Sequence, residues 1–285
     1  MYQQRIERKK PGCILILLDR SDSMQRPWGR SGMTLAHGAS LAINKVLLEL
    51  GVKSTKKPGE PMLRYFDVGI FGYGLCPSNG TEGVESALTG LDGLGDRGIV
   101  PLPEIAIRPI AVREEPALDL GAPASRVPVW VEPVHGYRTP MCEAIAVAGQ
   151  HVFDWVNQHP DSFPPIILNI TDGLVTDSPY EGAGLADWAT RLSSIATSDG
   201  PALLLNIFIS PDAGAERWFP ATPDGLPEPG PDLFAISSLM PEPMLRTARA
   251  TGINVSAGAR GFVCGAGLEA LVKFLDIGTR LDVRD

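Results

Sequence analysis

The chain contains 285 residues, of which 44% are apolar and 20% are charged, a composition typical of a soluble protein with a large buried core. At roughly 150 residues per domain, this length predicts one or two domains. The 25 Lys and Arg residues against 33 Asp and Glu residues give a net charge of −8. Because nucleic acids and anionic membranes attract clustered positive charge, we expect neither to be a partner.

The beginning of the chain lacks the pattern of a signal peptide or a membrane anchor. Residues 1–10 are polar and basic, and the apolar run at 13–18 is only six residues long. A signal-peptide core needs about 7–15 apolar residues, and a membrane helix needs about 20. The four cysteines are widely spaced without a C-x-x-C pair, so neither a zinc site nor a disulfide framework is expected. We therefore expect a cytoplasmic protein.

Short apolar runs alternate with helical patterns along the chain. The apolar runs predict strands at 13–18, 65–74, 165–170, 202–209 and 261–264. Helical spacing of apolar residues predicts helices at 33–50, 141–155, 179–197, 241–250 and 267–277. Thr139 is the predicted N-cap of the second helix, with Pro140 at its first position. This alternation predicts an α/β fold, with a doubly wound, mostly parallel central sheet and helices on both faces.

The segment 77–133 interrupts this alternation. It contains eight prolines between short apolar pieces, and proline favours edge strands or extended loops over core strands. We interpret it as a β-rich insertion that folds as a small flap. The chain is then predicted to be one domain, residues 1–285, enlarged by the insertion at 77–133.

Polar residues follow two of the predicted buried strands. Asp19, Ser21 and Ser23 form a D-x-S-x-S sequence at the end of the first strand. Asp172 lies in a T-D-G sequence after the strand at 165–170, and Thr139 lies at the start of the helix between them. Ligands of open α/β sheets bind outside the carboxyl ends of the strands, so we expect these five residues to converge at one edge.

In this order, the three segments resemble the metal-ion-dependent adhesion site (MIDAS) of von Willebrand factor A (vWA) domains. The resemblance covers residues 13–278 without the insertion, and it implies a Rossmann-like fold. It also implies that Ser21, Ser23 and Thr139 contact a metal ion through their hydroxyls, while Asp19 and Asp172 act directly or through water. Hydroxyl, carboxylate and water oxygens suit Mg²⁺, with Mn²⁺ or Ca²⁺ as alternatives.

A ligand set with many neutral hydroxyls leaves the charge of a cation poorly compensated. The resemblance therefore implies a protein partner that supplies an Asp or Glu carboxylate to the open position. The family most often has glycine between the two serines, whereas this chain has Asp22. Aspartate tolerates turn conformations better than most residues, so we expect the loop to form.

Several longer runs are similar to a group of bacterial stand-alone vWA proteins with a β-rich insertion. They are FDVGIFGYG (66–74), PVWVEPV (128–134), GYRTPMCEA (136–144), FPPIILNITDG (163–173) and GARGFV (258–263). Members of that group tend to be encoded beside a metal-dependent protein phosphatase and a protein kinase. The resemblance implies a non-enzymatic protein-binding module of a signalling or conflict system, with no catalytic residues and with that phosphatase or kinase as a candidate partner.

Other interpretations stay open at this point. Ser, Asp and Thr at strand ends are also typical of turns and helix caps, and capping alone would explain Thr139. A metal-dependent phosphohydrolase also has an acidic strand end, although an aspartyl-phosphate enzyme needs a second Asp where this chain has Ser21, and two-metal hydrolases need several carboxylates. A third alternative is a scaffold that binds through residues 77–133 and whose metal site is structural.

Overall fold

The computed structural model describes residues 1–29, 31–57, 59–88, 91, 93–115, 124–211, 216–265, 267 and 271–274. The strands are β1 (Gly12–Arg20), β2 (Phe66–Cys76), β3 (Thr81–Ser86), β4 (Val100–Pro101), β5 (Ala111–Glu115), β6 (Ser125–Val129), β7 (Ile166–Thr171), β8 (Ala196–Thr197), β9 (Gly200–Pro201), β10 (Leu203–Phe208), β11 (Arg217–Trp218) and β12 (Phe262–Cys264). The α-helices are α1 (Leu35–Lys53), α2 (Leu102–Ala106), α3 (Met141–Gln158), α4 (Leu185–Ser194), α5 (Gly230–Ile236) and α6 (Glu242–Ala250). Short 3-10 helices span Asp22–Gln25 and Gly95–Arg97.

Within the described residues, the central sheet has eight strands and is mostly parallel. Its order is β11-β12-β10-β7-β1-β2-β3, with β4 also paired to β2. The five inner strands run parallel, while β3, β4 and β11 pair antiparallel at the edges. The α/β prediction is confirmed, and the apolar runs became inner strands because a strand covered on both faces buries every side chain.

Successive residues of the inner strands point into two separate cores. On β1, Ile14 and Ile16 pack in a core with α1 and α6, whereas Leu15 and Leu17 pack with α3, α4 and α5. Helices therefore cover both faces of the sheet, as expected. Helix α1 is long and apolar enough to cross a membrane, but 78% of its most apolar window is buried inside the fold, as in a core helix.

The predicted bounds of one helix are wrong. We expected a helix over 179–197, but α4 spans only Leu185–Ser194. Before it, Tyr180 and Ala183 exchange two backbone hydrogen bonds of 3.0 Å in a tight turn. After it, the two-residue strands β8 (Ala196–Thr197) and β9 (Gly200–Pro201) pair antiparallel in a short hairpin. The predicted helix at 267–277 is described only at 267 and at 271–274, and the latter four residues are helical; the rest lies outside the described residues.

The segment 77–133 is divided between the central sheet and a separate hairpin. Strands β3 and β4 pair with β2, whereas β5 and β6 pair with each other in a two-stranded sheet. Asn44 of α1 holds the end of this hairpin: its Oδ1 accepts from the N–H groups of Trp130 (2.9 Å) and Val131 (3.0 Å), and its Nδ2 donates to the Val131 carbonyl (3.0 Å). One buried amide thus attaches the hairpin to a helix.

Polar side chains form a hydrogen-bonded row across the buried sheet. Tyr73 Oη donates to Asn169 Oδ1 (2.8 Å), and Asn169 Nδ2 donates to Asn206 Oδ1 (2.9 Å). Asn206 Nδ2 then donates to Ser237 Oγ (2.9 Å), just beyond α5, and Ser237 Oγ donates to the Leu233 carbonyl (2.7 Å). Since an unpaired polar group in a core is costly, this row specifies how β2, β7, β10 and α5 align.

The substitution Asn206→Leu should destabilise the fold, because it leaves the Asn169 amide without its acceptor in the core. We expect the free energy of unfolding in urea to fall by about 2 kcal/mol. Asn157→Leu makes the same chemical change at an exposed position of α3 and should alter it by less than about 0.5 kcal/mol. Equal stability of the two variants would contradict a structural role for the row.

Candidate metal centre

The order of the strands places an opening outside the carboxyl ends of β1 and β7, which are themselves paired side by side. From β1 the chain passes through α1 to β2 on one side, and from β7 it passes through α4 to β10 on the other. Ligand sites of α/β sheets form at such a switch point, outside the carboxyl ends of the strands. Leu18 lies opposite Ile170, so Asp19 and Thr171 come next to each other as the two strands end.

Asp19 is buried at this opening and accepts hydrogen bonds from two residues. The backbone N–H of Ser21 donates to its Oδ1 (2.8 Å), and the Thr171 hydroxyl donates to its Oδ2 (2.6 Å). Thr171 belongs to the recognised T-D-G sequence, but its contact with Asp19 had no sequence signal, since it depends on the pairing of β1 with β7. These bonds fix the carboxylate at the strand edge.

The two serines connect the first loop to the second aspartate. The Ser21 and Ser23 hydroxyl oxygens lie 3.0 Å apart, and Ser23 Oγ donates to Asp172 Oδ1 (2.7 Å). Ser21 and Asp172 are buried and Ser23 is half-buried. The D-x-S-x-S loop and the T-D-G loop therefore meet through their side chains, as the sequence predicted.

Thr139 completes the cluster from the third segment. A Cβ on Gly173 would lie 3.7 Å from Ser23 Oγ and 3.9 Å from Thr139 Oγ1, so both hydroxyls lie beside the same backbone position. The structure thus brings together all five predicted residues, Asp19, Ser21, Ser23, Thr139 and Asp172. Their role as metal ligands stays a prediction.

The prediction that Thr139 is the N-cap of the following helix is wrong. Helix α3 begins at Met141, and Pro140 occupies the cap position. Asp177 supplies the cap instead, because its carboxylate accepts from the backbone N–H groups of Cys142 (3.0 Å) and Glu143 (2.9 Å). Local sequence could not reveal this cap, since Asp177 lies 35 residues after Cys142. Capping of α3 therefore does not explain the Thr139 hydroxyl.

Backbone hydrogen bonds hold the three segments against one another. Asp22 N–H donates to the Tyr137 carbonyl (2.9 Å), and Gly136 N–H donates to the Arg20 carbonyl (2.8 Å). Thr139 N–H donates to the hydroxyl of Thr176 (2.9 Å), three residues beyond Gly173. The cluster is therefore preorganised by its own loops.

Gly74 at the end of β2 permits the close approach of the first loop. Its φ is +120°, and a Cβ there would lie 2.6 Å from the carbonyl carbon and oxygen of Arg20. Any side chain at this position would displace the backbone immediately before Ser21. Glycine is therefore required by both its conformation and the available space.

Arg26 places a positive charge on the second aspartate. Its Nη2 donates to Asp172 Oδ2 (2.6 Å), and its Nε donates to the carbonyl of Ser23 (3.2 Å). The Arg26 side chain is 48% exposed, whereas the Asp172 side chain is fully buried. No sequence motif points to Arg26, because its position beside Asp172 depends on the 3-10 turn at Asp22–Gln25.

Burial and like charge act on Asp19. Loss of hydration on burial, reinforced by the negative charge of Asp172, raises the pKa of Asp19 to about 6, while hydrogen bonds from Thr171 and Ser21 act in the opposite direction. Two carboxylates that share a buried opening repel each other when both are ionised. A cation between the two loops would relieve that repulsion.

The donor atoms fit a hard divalent cation. Two carboxylates and three hydroxyls offer only oxygen, the donor that Mg²⁺, Mn²⁺ and Ca²⁺ accept. Over the described ranges, no group of three or more His, Cys, Asp and Glu residues is placed to hold a metal. The hydroxyls must therefore contribute if a cation binds here, and a thiolate–imidazole zinc site does not describe this centre.

Comparisons with known proteins leave the family open. No protein-family model matches the chain, and no curated protein matches it at a significant level. Among solved structures it is similar to the ArnB paralog VWA2 from Sulfolobus acidocaldarius, with 11% identity, a TM-score of 0.33, and coverage of 70% of this chain and 35% of that one. It is also similar to the pilus adhesin SpaC from Lactobacillus rhamnosus GG, with 14% identity, a TM-score of 0.43, and coverage of 95% and 31%.

The chain therefore spans well under two thirds of the length of either protein. Because the sequence identities and TM-scores are low, the α/β assignment rests on the strand order and not on these two structures.

Replacing the capping residue tests how α3 begins. Asp177→Ala removes the acceptor of two N–H groups, so the free energy of unfolding should fall by about 1–2 kcal/mol. Asp154→Ala, at an exposed position within the same helix, serves as the control and should change it by less than about 0.5 kcal/mol. Urea denaturation followed by circular dichroism measures both, and an unchanged Asp177→Ala variant would contradict the assigned cap.

Proposed function

We propose that the protein is a metal-dependent protein-binding module of the vWA type, in which a MIDAS-bound divalent cation receives a carboxylate of the partner. The observation that carries this proposal is the convergence of Asp19, Ser21, Ser23, Thr139 and Asp172 at the switch point of the sheet. Three loops supply these residues, and each loop is held by backbone bonds to a neighbour.

Ser21, Ser23 and Thr139 would hold the cation through hydroxyl oxygens, with Asp19 and Asp172 acting directly or through water. A bound Mg²⁺ would supply concentrated positive charge that the protein only partly neutralises. This balance favours a partner carboxylate over a neutral group.

Two exposed side chains at the rim support protein binding. Leu174 follows the T-D-G sequence and Tyr137 precedes Thr139 by two residues, and both are largely exposed. A partner whose acidic residue reaches the cation would cover these apolar surfaces. Burial of such surfaces commonly contributes much of the affinity in protein interfaces.

The proposed activity is binding and not catalysis. The centre contains two carboxylates, one of them bonded to an arginine, whereas two-metal phosphohydrolases need several carboxylates to hold their ions. The proposed setting is a cytoplasmic bacterial signalling or conflict system with an associated phosphatase or kinase as partner. That setting is supported only by the sequence resemblance.

Calorimetry should detect Mg²⁺ or Mn²⁺ binding to the wild-type protein and its loss in Asp19→Asn. This substitution keeps the size of the side chain but removes the negative charge of Asp19 from the centre, so the affinity for the metal should fall by at least about tenfold. Asp154→Asn makes the same change at an exposed position of α3 and should bind like the wild type. Undiminished binding by Asp19→Asn would refute the assigned site.

Partner capture from the native cell should depend on both metal and site. The wild-type protein, immobilised in Mg²⁺, should retain proteins that are lost after EDTA and are also absent from Asp19→Asn, because both treatments remove the cation. Quantitative mass spectrometry measures the retained set.

A matched variant separates this result from binding through the hairpin. Val112→Glu places a charge on the exposed face of β5, which contributes none of the five cluster residues, and should leave metal-dependent capture unchanged. Retention that survives EDTA and Asp19→Asn but is lost in Val112→Glu would favour the scaffold alternative.

A further inference from the structure

We propose that Arg26 is an internal counter-cation that occupies the Asp172 side of the metal centre and is displaced by the divalent ion, so that it sets the affinity for metal. This inference rests on the proposed function, because it needs the same centre to bind a cation. It adds a residue that lies outside the five predicted ligands and acts against metal binding.

The guanidinium of Arg26 is held at two points inside the cluster. Nη2 donates to Asp172 Oδ2 (2.6 Å), while Nε donates to the Ser23 carbonyl (3.2 Å). The other Asp172 oxygen, Oδ1, accepts from the Ser23 hydroxyl (2.7 Å). Both oxygens of the aspartate are therefore engaged, and one of them is engaged by a full positive charge.

The short path of the chain keeps Arg26 in reach of the centre. Arg26 directly follows the 3-10 turn at Asp22–Gln25, and its backbone N–H donates to the Ser23 carbonyl (3.1 Å). The backbone position is thus fixed by the same turn that presents Ser23. Only the side chain has to rotate to release Asp172.

The side chains of Arg26 and Asp172 differ in burial, as displacement of the arginine requires. Asp172 has a fully buried side chain and stays within the cluster, whereas the Arg26 side chain is 48% exposed. An exposed guanidinium regains hydration when it leaves, so its release is inexpensive. A buried carboxylate that loses this partner needs another cation.

The charges at the centre make the two cations alternatives. Arg26 compensates one of the two negative charges, whereas Asp19 accepts hydrogen bonds from neutral groups of Ser21 and Thr171. A divalent ion at the five oxygens attracts both carboxylates, and its own charge repels the guanidinium. Binding of metal and pairing of Arg26 with Asp172 therefore oppose each other, and each weakens the other by the same factor.

Calorimetric titration of Mg²⁺ into Arg26→Gln tests the proposal. We expect affinity to rise roughly tenfold over the wild type, within the range usual for coupled sites. Arg26→Lys keeps the charge and should stay within about threefold of the wild type. Without metal, Arg26→Gln should melt at a lower temperature than the wild type, since Asp172 loses its partner, and Mg²⁺ should raise its melting temperature by more than it raises that of the wild type.

Arg138→Gln is the matched control for long-range charge. Arg138 adjoins Thr139, its side chain is 72% exposed, and it pairs with Glu82 instead of with the cluster. The substitution Arg138→Gln removes the same charge as Arg26→Gln and should leave Mg²⁺ affinity close to that of the wild type. An equal gain in Arg138→Gln and Arg26→Gln would overturn a specific role for Arg26.

The remaining outcomes separate this inference from the proposed function. If wild type and Arg26→Gln bind Mg²⁺ equally and Asp19→Asn does not bind, the metal centre stands and the role of Arg26 is refuted. If neither wild type nor Arg26→Gln binds Mg²⁺ or Mn²⁺, both proposals fail. If only Arg26→Gln binds, and Asp19→Asn added to it abolishes binding, both are supported.

Discussion

The parallel pairing of β1 with β7 is the constraint on which the candidate centre depends. It brings Asp19 beside Thr171 at the strand ends, where the threonine hydroxyl bonds the carboxylate at 2.6 Å. The chain connections leave these two strands in opposite directions along the sheet, which makes their carboxyl ends a topological switch point. A register shift of one residue would turn these side chains towards the opposite face and dissolve the cluster.

Two carboxylates in one buried opening each disfavour the ionisation of the other. Asp19 responds with a pKa raised to about 6, chiefly because burial removes its hydration. Asp172 responds through Arg26, which brings in a charge from a half-exposed side chain. The negative charge of Asp172 is thus compensated by an arginine, whereas no arginine among the described residues pairs with Asp19.

The sequence predicted much of the fold because its strongest signals are local. The apolar runs at 13–18 and 165–170 became inner strands, and helical spacing located α1, α3 and α6. Errors arose where tertiary contacts decide the outcome. Residues 179–184, for example, form a turn and not the start of a helix. For segment 77–133 the sequence indicated β structure, but proline spacing does not reveal which strands join the central sheet and which form a separate hairpin.

The five candidate ligands were predictable because they follow strands or precede a helix, and such positions meet at one edge of a parallel sheet. Arg26 and Asp177 were not predictable, since neither lies in a recognisable motif and each contacts a residue that is distant in the chain. Asp177 in particular takes over the capping function that local sequence assigned to Thr139.

Asn44 has a consequence for how the molecule can change over time. The middle of a helix has no spare backbone groups, since its N–H and C=O groups bond one another. The Asn44 amide supplies both a donor and an acceptor to the Trp130–Val131 backbone, much as a neighbouring strand would. A substitution that removed the Asn44 amide during evolution would therefore leave three buried backbone groups of Trp130 and Val131 without this partner, so the position tolerates little change.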